Sequence, residues 1–360
     1  VRADRLDLAA LGQIAARLPL GTATLATQQE HPVVGLVESL SARWQGPLTA
    51  PTQYTVKARV SRLAVASVPA RGIPGLQGAT VDVELDQSGG KGKLVIDNGA
   101  LDLPGVFEDP WLPLRSLNAE AGWQLRGEQI RVNRFSARFT SVDADGDFNG
   151  SWQTSDPATS PSRDRFPGVL DLQGRFTRAD GARVHRYLPL GIPADVRHYV
   201  RDAIVDGRVS DIRVRVRGDL ENIPFADPRQ GEFYIGGKVR DVTYAFVPKS
   251  AQPAGEPPWP VLAGLGGELI FDRATMVVSG ASSRMVDAPG LKISRVEAKI
   301  PDYMNTVTVV VGVDARGPLT EVLGVVNRSP LGALTGKALA QATATGDASY
   351  NINLNLPIAT

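Results

Sequence analysis

Cysteine is absent from the 360 residues. Its absence excludes disulfides, cysteine-ligated zinc and a thiol nucleophile, and suits either the cytosol or a periplasm where stray oxidation is avoided. No apolar run reaches the ~18 residues that a membrane-spanning helix needs. An excess of one charge is also missing, with 39 basic against 38 acidic side chains and a formal net charge of +1. A protein that neutralises phosphates carries a basic surplus, so this balance argues against nucleic acid as a partner. Lysine supplies only 8 of the basic residues and arginine 31, and arginine tolerates half-buried positions better than lysine. Histidine is confined to His31, His185 and His198, far apart in the chain. No G-x-S-x-G, H-E-x-x-H or P-loop spacing is present. A catalytic triad or facial metal site lacks its parts, so the expectation is a protein that is no enzyme and needs no cofactor or metal. The opening VRADRLDLAAL reads as the interior of a longer chain, being neither a signal peptide nor an ordinary start.

What is present is glycine (37), proline (26) and alternation of apolar with polar residues. That combination predicts many short strands joined by tight turns. GKLVIDNGALDL (92–103) reads as a hairpin turning at Asn98-Gly99. RVNRFSARFTSVDADGDFNGSW (131–152) reads as two strands about an Asp-Gly turn, and GELIFDRATMVVSG (267–280) and TVTVVVGVDARG (306–317) continue the habit. Helix is expected at LDLAALGQIAARL (6–18), with Leu11, Ile14 and Leu18 at helical spacing. A second is PADVRHYVRDAIVDG, entered at Pro193, stopped at Gly207 and striped by Val196, Tyr199, Val200, Ala203 and Ile204. A third is LTEVLGVV with PLGALTGKALAQA (319–342). The segments 154–165 and 249–258 read as exposed loops. YTVKARVSRLAVASVP (54–69) aligns with FYIGGKVRDVTYAFVP (233–248), which suggests two copies of a larger meander.

Two stretches invite a ligand. DGDFNGSWQTSD (145–156) matches the start of a calcium loop at Asp145, Asp147 and Asn149. Asp-Gly and Asn-Gly are also ordinary turn residues, and without flanking helices the turn reading is preferred. DIRVRVRG places Arg213, Arg215 and Arg217 at alternate positions. With acids nearby, they read as the solvated side of a half-buried sheet rather than an anion site. What recurs from strand to strand is the apolar side, and it must be buried against something. The few predicted helices cannot cover so many strands. Either two sheets pack as a β-sandwich, which base rates favour, or one long antiparallel sheet curls and leaves an apolar interior open to an apolar ligand.

YLPLGIPADVRHYVRDAIVDGRVSDIRVRVRGDLENIPF followed by GEFYIGGKVRDVTY resembles the central region of the YhdP-type AsmA-like family of Gram-negative bacteria. The likeness extends through LDLAALGQIAARLPL, PVVGLVESLSARW, WPVLAGLGGELIFD, SPLGAL and GDASYNINLNLPI, collinear over most of the chain. It implies a mainly β bridge-like lipid transfer protein, its long curled antiparallel sheet forming an apolar groove with a few short helices. The divisions would be 1–182 (N-terminal helix and first β-groove unit), 183–207 (helical insertion) and 208–360 (second unit, C-terminal helices and strand). The implied role is non-enzymatic phospholipid transport from inner to outer membrane, in a periplasmic protein anchored in the inner membrane, in support of the permeability barrier. Acyl chains would be the partner, membrane contacts would lie in parts outside this chain, and protein partners stay unnamed. The groove lining, chosen by strand alternation, is Val83, Leu85, Leu94, Ile96, Leu101, Ile212, Val214, Val216, Ile235, Val239, Leu269, Phe271, Val307, Val309 and Val311. For each, an ordinary sandwich core is the plainer reading. A structural module that scaffolds outer-membrane biogenesis through an exposed strand edge is the rival function.

Overall fold

A computed structural model of the chain describes residues 1–10, 32–47, 52–305 and 308–357. It is mainly β, with strands β1 (Arg2–Ala3), β2 (Leu6–Asp7), β3 (Val33–Gln45), β4 (Gln53–Val65), β5 (Gly75–Asp86), β6 (Gly89–Asp102), β7 (Trp111–Arg126), β8 (Gln129–Thr140), β9 (Ala144–Gln153), β10 (Val169–Asp180), β11 (Ile204–Asp219), β12 (Gly231–Tyr244), β13 (Leu262–Asp272), β14 (Thr275–Met285), β15 (Ala288–Ile300), β16 (Thr308–Pro318) and β17 (Asp347–Pro357). Among the described residues, short helices accompany them: α1 (Ala194–Ala203), α2 (Leu319–Arg328) and α3 (Leu331–Leu334), with a helical turn at residues 8–10.

Two compact units emerge: Val1–Gly174 with Val216–Asn222, and Arg175–Arg215 with Ile223–Thr360. In the first, each strand from β3 to β9 pairs antiparallel with the next, and β1 and β2 both pair with β3. In the second, β12 to β17 form the same kind of running meander. Each unit is thus built on one continuous ladder rather than on two facing sheets. The open antiparallel sheet implied by the family resemblance is what forms, and the sandwich favoured on base rates is not.

A bend line crosses each ladder. In the first unit the register shifts at Arg62, Gly78 and Asn98, and all three residues have positive φ (51°, 75° and 51°). In the second unit Asp241, Gly264 and Gly280 repeat this (55°, 61° and 56°). A bulge adds one residue to a strand, bends it and swaps which parity faces inward. Leu94 and Ile96 therefore share a face with Leu101, although simple alternation separates them.

Several local expectations change. Asn98-Gly99 is a bulge inside β6, not a hairpin turn, because the left-handed backbone that Asn and Gly favour serves both purposes. The turn between β8 and β9 falls at Ser141–Asp143, ahead of Asp145-Gly146, and is closed by Ser141, whose hydroxyl donates to the Ala144 carbonyl at 2.9 Å. Asp145, Asp147 and Asn149 lie in extended β9, so the backbone of a calcium loop is not formed. α1 ends at Ala203 and runs straight into β11, four residues before Gly207. Its expected stripe is only partly inward: Val196 is 45% exposed while Arg197 is 8% exposed and donates to the carbonyls of Leu190 and Ile192. Of the first expected helix, residues 8–10 are helical, with the Asp7 carboxylate accepting from the N–H groups of Ala9 and Ala10. Leu11, Ile14 and Leu18 lie outside the described residues.

Candidate functional site

The strand registers place apolar residues side by side across the ladders. In the second unit, Ile235 faces Phe271, Phe271 faces Met276, and Met276 faces Ile300. The next row is Leu269, Val278, Ala298, Val311 and Leu354, followed by Ala281, Val296, Val313 and Ile352. Beyond the bend come Ser283, Ile293, Ala315 and Tyr350. At that end α2 covers the face: Val322 and Val325 pack on Ala288, Leu291, Ile293 and Ala315. The Glu321 carboxylate secures the helix by accepting the Gly290 N–H at 2.8 Å. The rows holding Val309 and Val311 lie outside that cluster, and on β17 Ile352, Leu354 and Leu356 are 43%, 42% and 47% exposed.

The first unit repeats the pattern. Val81, Leu94, Ala119, Ala137 and Phe148 form one row; Ala79, Ile96, Leu117 and Phe139 form the next. Ala79, Ile96 and Leu117 are buried, and Leu76, Leu94 and Leu101 pack against them. Glycines on this face seat aromatic rings. A Cβ on Gly90 would lie 2.6 Å from the Trp123 ring, on Gly150 2.9 Å from Phe135, and on Gly174 2.5 Å from Phe148. Each ring therefore lies over bare backbone, the device that fills a glycine site in a sheet.

The residues chosen by alternation fall as follows. Val83, Leu85, Leu94 and Leu101 are half-buried and Ile96 is buried in the first unit, which also holds the buried Val216. Ile235, Val239, Leu269, Phe271, Val309 and Val311 are half-buried in the second. Ile212 joins them, since a Cβ on Gly237 would meet its Cγ1 at 2.9 Å, and Val214 follows at the same parity, half-buried. Val307 lies outside the described residues. Alternation missed the aromatics Trp123, Phe135 and Phe148, and the β17 residues Ile352, Leu354 and Leu356, although NINLNL carried that signal openly.

The opposite faces are wet and charged. Arg59 pairs with Glu38 at 2.7 Å and Asp82 at 2.8 Å, and Glu84 sits between Lys57 at 3.1 Å and Lys91 at 3.2 Å. Arg213 and Arg217 are exposed, and Arg215 reaches Glu232 at 3.0 Å. Hydrogen bonds hold these carboxyls below their ordinary range: Ser61 then Arg59 for Glu38, Lys57 then Lys91 for Glu84.

Polar groups also fasten α1. The Tyr199 hydroxyl lies 2.7 Å from that of Tyr244 and donates to the Phe246 carbonyl at 3.0 Å; burial pushes both phenols up. Beside them a depression of about 290 Å³ is lined by His198, Arg201, Asp202 and Ser250. Arg201 and then Ser250 hold the Asp202 carboxyl at about 2. The Ser250 hydroxyl donates to the Asp202 carboxylate at 2.6 Å, and these contacts tie α1 to the segments that follow β12.

A family model described as YhdP protein matches residues 1–360. The curated proteins and the solved structures yield no match. The matched family has a role related to lipid transport in the bacterial envelope and is not known for catalysis.

Proposed function

The chain belongs to the YhdP family, and on that premise we propose that its two apolar sheet faces carry the acyl chains of phospholipids between the inner and outer membranes. The observation that carries this reading is the set of cross-strand apolar rows left half-exposed, with Leu354 and Leu356 at 42% and 47%. A soluble domain normally covers such a surface. Each methylene taken from water contributes about 0.8 kcal/mol, without direction or polar recognition. A chain can therefore slide from row to row at nearly constant free energy, which suits a conduit. Strands of this kind rise ~3.4 Å per residue, so the path from Tyr350 to Leu356 spans roughly 20 Å. One leaflet of hydrocarbon is about 15 Å thick, so that path accommodates an acyl chain. Head groups would stay at the open rim, where arginine meets phosphate well. No residue takes a catalytic role. The setting is the periplasm, in support of the outer-membrane barrier, with anchoring supplied by other parts of the protein.

Native mass spectrometry of the purified chain tests the proposal. The expected result is co-purified phospholipid in the parent protein and its loss in Leu354→Glu, whose exposed position lets the variant fold with a near-parental Tm. Absence of lipid from the parent, or undiminished lipid in Leu354→Glu together with Val83→Glu, would overturn it.

A further inference from the structure

Among the described ladders β3–β9 and β12–β17, charge on the wet faces follows a rule with one exception. Within these ladders, a charged residue that faces another charged residue across a strand pair faces its opposite: Lys57 and Glu84, Arg59 and Asp82, Lys93 and Glu120, Arg138 and Asp147, Lys238 and Glu268, Arg295 and Asp314. The exception is a single row of the second unit, where Arg284 faces Lys292 and Lys292 faces Arg316. All three are exposed, and among the described residues none has an acid within ion-pair distance. Asp314, two residues from Arg316 along β16, is engaged: it accepts from Arg295 at 3.2 Å and from Asn351 at 2.7 Å. Like charges directly opposite one another destabilise a sheet. Three adjacent uncompensated cations on an otherwise matched surface therefore carry a cost that folding does not explain.

We propose that the row Arg284, Lys292, Arg316 is a docking site for an acidic helical segment of a partner protein. The row runs across three strands, spaced about 4.8 Å apart. Acidic side chains at i, i+3 or i+4 and i+7 of a helix stand about 5–6 Å apart, a close match in pitch and in straightness. The row is also narrow. Next to it Arg295 is bound to Asp314 and to Glu297 at 2.7 Å, so the surrounding face is neutralised and carries its own acids. A broad anionic plane such as a bilayer would meet all of those acids, whereas one helix laid along the row meets fewer of them. At the Arg316 end lies a depression of about 410 Å³, lined also by Ser294, Ser349, Asn351 and the engaged carboxylate of Asp314, with room for a polar side chain of the partner beside Arg316. The site is on the face opposite the apolar rows, and the inference stands independently of the lipid reading.

The test uses the whole chain and a fluorescein-labelled helical peptide with glutamate at i, i+4 and i+7, its lysine-substituted counterpart serving as control. The expected result is binding of the acidic peptide alone, weakened about tenfold or more by Lys292→Glu and progressively by salt, as for contacts dominated by charge. Lys57→Glu, on the first unit, leaves the affinity unchanged. Equal binding by the parent and Lys292→Glu would overturn the proposal. So would preference for phosphatidylglycerol vesicles over the peptide, or complete displacement of the peptide by millimolar inorganic phosphate.

Discussion

Residues of one face and of the other obey separate rules, and Lys292 brings the second into view. Cross-strand pairs of opposite charge contribute roughly 0.2–1 kcal/mol each, and like pairs oppose folding by similar amounts. Lys292→Glu exchanges two repulsions, with Arg284 and Arg316, for two attractions. It should therefore raise Tm by about 2–4 °C per kcal/mol gained in a domain of this size, read by calorimetry at low salt, while weakening capture of an acidic helix. A charge reversal that stabilises the fold yet removes an interaction separates a functional residue from a structural one. If Tm falls instead, the row is compensated and its meaning is lost. The sequence could not display this feature. The three residues are scattered along the chain with acids between them, and only the registers of β14, β15 and β16 bring them together.

At the scale of the strand, bulges decide which residues meet. The alternation that selected Leu94, Ile96 and Val309 was legible because the two-residue period is local. The bend lines were not, since Asn98-Gly99 carries the same left-handed signature whether the chain reverses or merely bulges. What separates these outcomes is long-range: Ala100 must find Pro113, and Gln77 must find Ala100. α1 shows the converse error, because a helical stripe read in isolation could not anticipate that Arg197 would be buried on two carbonyls. The bulge makes its own prediction. Asn98 holds φ of 51°, so Asn98→Gly should leave stability unchanged or slightly raised. Asn98→Val should cost about 1–2 kcal/mol from the left-handed backbone alone, read as a lower urea midpoint at constant m. Equal midpoints for the two variants would mean that the bend is not held by this residue.

Across the whole molecule the same plan appears in both units. Val60 and Val239, aligned in sequence, each stand just before a positive-φ residue, Arg62 and Asp241, and each strand leads to a proline-initiated 3₁₀ turn. Both units keep acidic and basic side chains off the apolar rows named above and distribute charge over the opposite faces. Stability and lipid retention should therefore respond differently to solution conditions. Glu38, Glu84, Glu297 and Asp314 all have carboxyls held below their ordinary range, Glu297 by Arg295 and Asp314 by Asn351 then Arg295. A folded-state value below the unfolded one means that the contribution is complete above the unfolded pKa and is lost as pH falls through the folded one. Tm should be level between about pH 5 and 8 and decline below about pH 4, where unfolded carboxyls begin to protonate. Asp202, held at about 2, should lose its share last. On the proposed function, the acyl chains on the apolar rows carry no charge and a phosphodiester head group stays ionised throughout, so the stoichiometry of lipid by extraction should be the same at both ends of that level range. It should also persist in about 0.5 M salt, where exposed ion pairs are screened over a few ångströms. Release of lipid by salt at constant Tm would show that head-group charge, rather than the apolar rows, holds the cargo, and the conduit would have to be redrawn around the arginines.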